Sequence, residues 1–192
     1  RLNFEAVGDS RKSIGYLKDN WYIHLSPPTL PGNLGHQFEY APAKEFYLIY
    51  SEYHPNGIIK RKARFIGDVV FGKDEYFNER GKLIKSTDED AKFGKIKPQD
   101  LPGIIEKIGL FNTKTGENIF TKEPLPTDGR FTSNMFDKLD IYFAPAEQVK
   151  DGTSSAPLWL VIYRTHNREI YYTIDGETGE YIREEEEMRI YY

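Results

Sequence analysis

The chain contains 192 residues, and its 26 basic and 30 acidic side chains give a formal net charge of −4. This mild acidic excess disfavours a general nucleic-acid or acidic-membrane binder, because such proteins are usually basic. The absence of cysteine excludes disulfide bonds, thiolate catalysis and cysteine-ligated metals, and no apolar run is long enough to span a bilayer.

Positions 1–20 are polar and show no clear period, whereas positions 21–25 form the first predicted strand. Four prolines and two glycines between positions 26 and 42 then predict a long irregular loop. Loops on a rigid sheet often carry function, and Trp and Tyr contribute strongly to interfaces. Residues 21–40 are therefore a candidate recognition loop, with Trp21 and Tyr22 as contact residues. The alternative is that its aromatic side chains pack over an open sheet face.

Residues 46–84 predict a four-stranded antiparallel meander, because strand-like segments alternate with glycine-containing turns. The predicted strands cover residues 46–53, 58–65, 69–77 and 83–84. A doubled stretch organises this region, since residues 52–60 recur as residues 75–85. Glu52 recurs as Glu75 and Gly57 recurs as Gly81, so the second copy is longer by one position, and we assign the extra residue to Arg80.

Strict alternation along the second of these strands predicts a solvated, cationic face that contains Ile58, Lys60, Lys62 and Arg64. Acidic residues are expected on the neighbouring strands, at Glu52, Asp74 and Glu75, where they can pair with these cations. Two interpretations remain open: cross-strand ion pairing, or a docking surface for an acidic protein partner.

A charged hinge is predicted at residues 86–90, and a short helix is predicted after it. The helix follows from one apolar stripe of Leu101, Ile104, Ile105 and Ile108, with Asp100 as its N-cap and Gly109 as its stop. The remaining predictions are turns at residues 112–116, 127–129 and 175–179, strands at 140–143, 158–163 and 169–174, a last strand from Tyr181, and a charged edge at 184–187. A hairpin across residues 165–168 is expected to join the second and third of these strands.

No pattern in the sequence indicates a catalytic, metal or cofactor site. The four histidines, His24, His36, His54 and His166, are scattered without metal-ligand spacing, and the acidic clusters lack the oxygen pattern of a calcium loop. A nucleophile elbow and a phosphate-binding glycine loop are also missing. We therefore predict no catalytic residue, no metal and no cofactor.

The doubled unit resembles the MORN-like repeats of the YwqK antitoxin family over residues 46–86. Tyr53-His-Pro-Asn-Gly57 fits the usual turn of that repeat, whereas the frequent Gly-x-Trp of the family is replaced by Gly72-Lys-Asp-Glu. The resemblance implies strand–turn–strand units, and it implies an antitoxin or immunity-type protein that neutralises a partner toxin.

The C-terminal half resembles a PepSY-type domain. The resemblance rests on Trp159-Leu-Val-Ile-Tyr163 and on the strand, Asp-Gly-Glu-Thr-Gly turn and strand of residues 172–182. The whole arrangement is similar to secreted or lipid-anchored proteins of Bacteroides-type bacteria, which implies a periplasmic, outer-membrane-anchored or secreted location. Since the chain opens on Arg1 rather than Met, we expect a processed or trimmed form, from which any signal peptide or lipid-anchor cysteine would have been lost.

These observations predict an α+β fold, in which an antiparallel meander of repeat hairpins precedes a short helix and a second, PepSY-like antiparallel sheet. Residues 1–95 and 96–192 are the expected domains, unless they form one continuous domain. The leading hypothesis is a non-enzymatic binding module of the bacterial cell envelope that contacts another protein, not nucleic acid, through Lys60, Lys62, Arg64, Trp21 and Tyr22. An antitoxin is the second hypothesis, and a hydrolytic enzyme is the third.

Overall fold

The chain is strand-rich and contains two separate antiparallel sheets and one short α-helix in the part that the structure describes. This structure is a computed structural model, and it describes residues 13–27, 35–42, 45–110, 112, 114, 139–147, 155–164 and 168–187, with the backbone alone at Glu187. The described residues fall into two compact units. The first comprises those up to residue 65 and 70–89, and the second comprises 66–69, 90–114 and those from 139 onward.

The first unit contains a seven-stranded sheet, apart from Ile66 and Val69 at the ends of two strands, and the strands follow one another in sequence order as a meander. The strands are β1 (Ile14–Lys18), β2 (Trp21–Ser26), β3 (Gly35–Tyr40), β4 (Leu48–Tyr53), β5 (Ile59–Ile66), β6 (Val69–Phe77) and β7 (Leu83–Asp88). The four-stranded meander predicted for residues 46–84 is thus confirmed as β4 to β7. The sheet is larger than predicted, because β1 to β3 extend it.

The loop predicted at residues 26–42 is wrong in its second half, which forms β3, and residues 28–34 of it lie outside the described residues. Pro27 and Pro42 flank the strand. Between them, the aromatic side chains of His36, Phe38 and Tyr40 alternate with the polar side chains of Gln37 and Glu39. β1 was missed because positions 1–20 are polar and show no clear period. Gly15 lies under the ring of Tyr22, since a Cβ at this position would overlap the Tyr22 hydroxyl oxygen and the ring would have to move.

Two predicted boundaries also need correction. β4 begins at Leu48 and not at Phe46, because Phe46 adopts a left-handed backbone with φ of 53°. The predicted hinge at residues 86–90 is wrong in its first half. There Ser86 and Thr87 pair with Glu75 and Asp74 in the ladder, so β7 continues to Asp88 before the 3₁₀ turn Glu89–Lys92.

The doubled stretch forms two hairpins with the same turn. The backbone N–H of Gly57 donates to the His54 carbonyl, and that of Gly81 donates to the Asn78 carbonyl, both at 2.8 Å. The two glycines have φ values of 77° and 78°. Both turns are equally long, so Arg80 is not an extra residue, and the offset between the copies is constant throughout the turn.

A β-bulge follows each of these turns. In the first hairpin the register shifts between Glu52 and Tyr53, and in the second it shifts between Tyr76 and Phe77. The shift leaves one extra residue on the returning strand, which is Lys60 in β5 and its equivalent, Ile84, in β7.

The second unit contains a four-stranded antiparallel sheet in the order β11-β10-β9-β8. Its strands are β8 (Leu139–Ala144), β9 (Leu158–Arg164), β10 (Arg168–Asp175) and β11 (Tyr181–Glu187). These strands confirm the predictions from residue 140 onward, including the pairing of β9 with β10 and the edge position of the acidic last strand. The predicted turn at 127–129 lies outside the described residues, as do residues 165–167 and most of 112–116.

The predicted helix is present as α1 (Leu101–Ile108), with Leu101 and Ile105 buried. Gly109 ends it with φ of 84°, and its N–H donates to the Glu106 carbonyl at 3.0 Å. Asp100 occupies the N-cap position, but its side chain does not cap α1. Instead it accepts a hydrogen bond from the Lys97 N–H at 2.8 Å, which stabilises the preceding 3₁₀ turn Pro98–Asp100.

Trp159 is the centre of the core of the second unit and is fully buried. Its ring stacks on Phe93 at 5.2 Å and packs against Phe143 at 4.7 Å. The indole Nε1–H donates to the Ile96 carbonyl at 3.1 Å, which satisfies the polar atom that burial removes from water.

The predicted turn at residues 175–179 is confirmed. The carboxylate of Asp175 accepts the backbone N–H groups of Glu177 and Thr178, both at 2.8 Å, and Gly179 has φ of 74°. The hydrogen bonds from Thr178 and Glu177 lower the pKa of Asp175, because they stabilise its charged form.

Candidate binding surface

The strand register defines two faces of the seven-stranded sheet, because residues opposite each other in a ladder share a face. One face carries a row of His24, Phe38, Tyr50 and Ala63. The other carries a row of Ile23, Glu39, Ile49 and Arg64. We call the first the aromatic face and the second the cationic face.

Lys60 does not lie in line with Lys62 and Arg64, which corrects the predicted four-residue row. Since Lys60 is the extra residue of the bulge, strict alternation is interrupted at that position. Its Nζ lies 3.3 Å from the Glu52 carboxylate, so the predicted ion pairing with Glu52 is confirmed for this lysine. The pair is partly exposed and contributes at most about 1 kcal/mol to stability.

Lys62 and Arg64 are both exposed on the cationic face, and neither forms an ion pair with another described residue. Lys73 joins them from β6. Its neighbour Asp74 contacts Arg61 on the aromatic face, so Lys73 projects to the opposite side of the sheet, where it is exposed. Three exposed cations therefore lie on adjacent strands of one face.

Tyr47 connects this cationic group to Trp21. The guanidinium of Arg64 lies 6.0 Å from the centroid of the Tyr47 ring, a cation–π arrangement. The same ring makes edge-to-face contacts with Trp21 at 5.7 Å and with Phe71 at 5.9 Å between ring centroids. Trp21 belongs to β2 and not to a loop, and it is half-buried. The structure thus brings together two predicted contact residues that lie far apart in the sequence.

Tyr22 lies on the aromatic face, on the opposite side of the sheet from Trp21. Its side chain is 7% exposed, because it covers Gly15 and packs against Tyr40 at 5.9 Å. Its position is explained by packing, and it does not belong to the surface that contains Trp21.

We define the candidate surface as Trp21, Tyr47, Lys62, Arg64 and Lys73. The acidic groups near it on the same face are Glu39 and Glu75, which are half-buried, and Asp88, which lies opposite Lys73 in the ladder. Glu39 accepts a hydrogen bond from Gln37 at 3.0 Å. Sequence reasoning missed Tyr47 and Lys73, because their membership depends on which strands are neighbours and not on alternation within one strand.

The aromatic face holds a different charged group, the pair formed by Arg61 and Asp74. Both oxygens of the Asp74 carboxylate accept from Arg61, at 2.9 and 3.0 Å, and the Tyr76 hydroxyl donates to it at 3.1 Å. The guanidinium also lies 5.4 to 6.0 Å from the centroids of the Tyr50, Phe65 and Tyr76 rings. Hydrogen bonding to Asp74 is the main cause of the raised pKa of Arg61.

Rings on the aromatic face lie mainly against one another. His24 stacks on Phe38 at 6.2 Å and His36 stacks on Tyr50 at 5.7 Å, with a 2.6 Å hydrogen bond between His36 Nδ1 and the Tyr50 hydroxyl. Burial is the largest cause of the raised pKa values of Tyr40 and Tyr50. These rings therefore pack against one another across neighbouring strands.

His54 and Glu185 make local contacts elsewhere in the described part of the chain. Nε2 of His54 lies 2.9 Å from the Phe77 carbonyl oxygen, and His166 lies outside the described residues. On the edge strand β11, hydrogen bonds from Arg183 and Arg168 lower the pKa of Glu185. In the described part of the chain, no three His, Asp or Glu side chains are arranged to hold a metal ion. The described helices include none that is long and apolar enough to cross a membrane.

Comparisons of the chain with protein-family models, with curated proteins and with solved structures found no match.

Proposed function

We propose that the chain is a non-enzymatic interaction module that binds an acidic surface of another protein through Trp21, Tyr47, Lys62, Arg64 and Lys73. The observation that carries this proposal is the packing of Arg64 and Trp21 on Tyr47, beside two exposed lysines. Trp, Tyr and Arg are the residues most enriched at the energetic centres of protein interfaces. The aromatic pair supplies contact area, and the cations supply charge complementarity.

Charge supports an acidic protein partner more than a nucleic acid. Three cations would neutralise few phosphates, and the net charge of −4 would oppose a longer polyanion. Exposed cations mainly accelerate association and orient the partner, whereas desolvated aromatic contacts govern dissociation. We therefore expect truncation of Trp21 to raise the dissociation rate, and removal of the cations to lower the association rate.

The test is a quantitative capture experiment with matched charge variants. Lys62, Arg64 and Lys73 are changed together to Ser, and the control changes Lys95, Lys107 and Lys114 to Ser, which removes the same charge from exposed sites in the second unit. We expect one partner with an acidic surface to be retained by the wild type and the control, and lost by the first variant and by Trp21→Ala. Equal capture by both triple variants would show that the surface is not the contact.

Lys60 provides a sharper control within the same strand. It lies close to Lys62 in the chain, but its ammonium group is paired with Glu52. Lys60→Ser should therefore leave the affinity for the partner unchanged, whereas Lys62→Ser should weaken it. A loss of affinity on Lys60→Ser alone would mean that the row predicted by simple alternation, and not the surface defined here, binds the partner.

A finer proposal is that the partner is a toxin and that the chain is its antitoxin or immunity protein, with MORN-like repeats before a PepSY-like half. Two consecutive hairpins with equal turns support the first assignment, and the helix with a four-stranded sheet supports the second. The captured partner should then arrest growth when expressed alone, and co-expression of the chain should restore it. A harmless partner would leave only the general binding proposal.

We also propose a location in the cell envelope, for which the resemblance to secreted and lipid-anchored proteins is the support. Fractionation of cells that express the full-length gene should recover the protein with periplasmic, outer-membrane or secreted fractions. Recovery with the cytoplasmic marker alone would reject this location without affecting the binding surface.

A further inference from the structure

β7 is an edge strand of the seven-stranded sheet, and its first two residues are apolar and exposed. Leu83 and Ile84 are 46% and 64% exposed. No other strand that the structure describes pairs with its outer side. Open edges with apolar side chains are sites where another strand can add to a sheet.

The internal repeat indicates what this edge can accept. The β6–β7 hairpin repeats the β4–β5 hairpin at a constant offset. The pair Glu52 and Arg61 in the first hairpin corresponds to the pair Tyr76 and Lys85 in the second. Within the chain, the outer side of β5 holds β6. The bulge does not prevent this, because β5 carries the same bulge as β7 and still pairs on its outer side. The outer side of β7 is thus the structural equivalent of an edge that does bind a strand.

Side chains that join the two hairpins have counterparts in the second hairpin. His54 contacts the Phe77 carbonyl and Asn56 donates to the Glu79 carbonyl, both at 2.9 Å, while Arg61 binds Asp74. The residues at the equivalent positions of the second copy are Asn78, Arg80 and Lys85, and all three again carry donor groups. An incoming strand that offers carbonyl oxygens and a carboxylate would complete the same contacts.

The charge order of β7 makes it complementary to itself. Lys82 and Lys85 lie at its start, and Asp88 and Glu89 lie at its end. Antiparallel pairing of two copies brings the basic start of each β7 towards the acidic end of the other. β11 lacks this charge order, because its Tyr-Ile-Arg start offers a single cation to the four glutamates at its end.

We propose that β7 pairs antiparallel with β7 of a second copy about a two-fold axis, which joins the two seven-stranded sheets into one. The same patch then serves both copies, so the assembly closes as a dimer. The proposal is independent of the cationic surface, since the two use different residues.

The test measures the molar mass of the full chain by light scattering across a concentration series, with two matched variants. Ile84→Lys places a charge on the β7 edge, and Ile182→Lys places the same charge on the β11 edge, where Ile182 is 67% exposed. We expect a wild-type mass of twice 22.3 kDa, loss of the dimer in Ile84→Lys, and a retained dimer in Ile182→Lys. The Ile84→Lys change should raise the dissociation constant at least about tenfold.

A cross-linking measurement keeps the proposal falsifiable if a lysine variant folds poorly. The chain has no cysteine, so Ser86→Cys introduces a single thiol in the middle of β7, and Ser155→Cys introduces one at an exposed site elsewhere. Mild oxidation of dilute protein should give a covalent dimer for Ser86→Cys but not for Ser155→Cys. A monomeric wild type at its highest soluble concentration, a dimer that Ile84→Lys does not affect, or equal cross-linking of both cysteine variants would overturn the proposal.

Discussion

The ion pair between Arg61 and Asp74 should be the polar interaction that contributes most to the stability of the first unit. Asp74→Asn keeps the shape of the side chain but removes its charge, and it leaves a guanidinium that is only 25% exposed without a counter-ion. Loss of a fully buried partner costs about 3–5 kcal/mol. The partial exposure of Arg61 and its three neighbouring rings reduce that figure, so we expect about 2–3 kcal/mol.

The matched control is Glu52→Gln, which breaks the more exposed pair with Lys60, whose side chain is 39% exposed. We expect this change to cost less than about 1 kcal/mol. For a unit of this size, the Asp74→Asn loss corresponds to a decrease of about 10 °C in the midpoint of thermal unfolding. The double variant Arg61→Met/Asp74→Leu should recover part of the loss, because it leaves no unpaired charge.

The assay must report the first unit alone, and the two tryptophans allow this. Trp21 lies in the first unit and Trp159 in the second, so protein labelled with 5-fluorotryptophan gives one ¹⁹F resonance for each unit. Trp21→Phe assigns the resonances. Denaturant titrations should then show a shifted midpoint for the Trp21 signal in Asp74→Asn. If Asp74→Asn costs no more than Glu52→Gln, burial and bidentate geometry do not make this pair more stabilising than an ordinary surface pair.

Three further outcomes are expected. Gly109→Ala should lower stability by about 1 kcal/mol, because Gly109 has a left-handed φ of 84°. Gly103→Ala should raise stability by up to about 1 kcal/mol, because Gly103 lies in the helix with open space around it. Shifts of the same sign in the thermal unfolding midpoints of the two variants would contradict this. Burial is the main cause that raises the pKa of Tyr53 to about 12 from an ordinary value of 10.0. The contribution of the neutral Tyr53 side chain to folding stability is therefore complete below pH 10 and is lost between pH 10 and about 12. The difference in phenolate absorbance between wild type and Tyr53→Phe should therefore show a late titration, and a midpoint near 10 would refute it. Trp159→Phe should destabilise the second unit by about 2 kcal/mol through lost packing and the lost hydrogen bond to Ile96, and circular dichroism melts that match the wild type would count against that core.

Local patterns in the sequence predicted most of the described strands and the helix, and long-range pairing explains most of the errors. Residues 58–65 show what alternation within one strand can and cannot predict. Alternation correctly placed Lys62 and Arg64 together, but it misplaced Lys60, because the bulge arises from how β4 and β5 pair after the turn. The loop prediction at β3 was wrong for a different reason. It rested on the number of prolines and glycines, and prolines near a segment do not exclude a strand between them.

The candidate surface also combines features that local patterns predict with contacts that depend on long-range strand pairing. Alternation places Arg61 on the same strand face as Ala63 and Phe65, and its counter-ion, Asp74, comes from the next strand. Tyr47 could not be recognised as a link between Trp21 and Arg64, because the three residues come from three separate segments. Sequence reasoning therefore identified exposed side chains on single strands, and the register of the sheet decided which of them act together.

The equal turns of the two hairpins have a consequence for how this sheet can change in length. Because the second hairpin repeats the register and the bulge of the first, residues at equivalent positions lie on the same face, so adding or removing one whole hairpin leaves both faces as they are. The bulge is repeated together with the turn, so the two form one transferable unit. Gene duplication in steps of this unit can therefore lengthen the sheet without rebuilding either face.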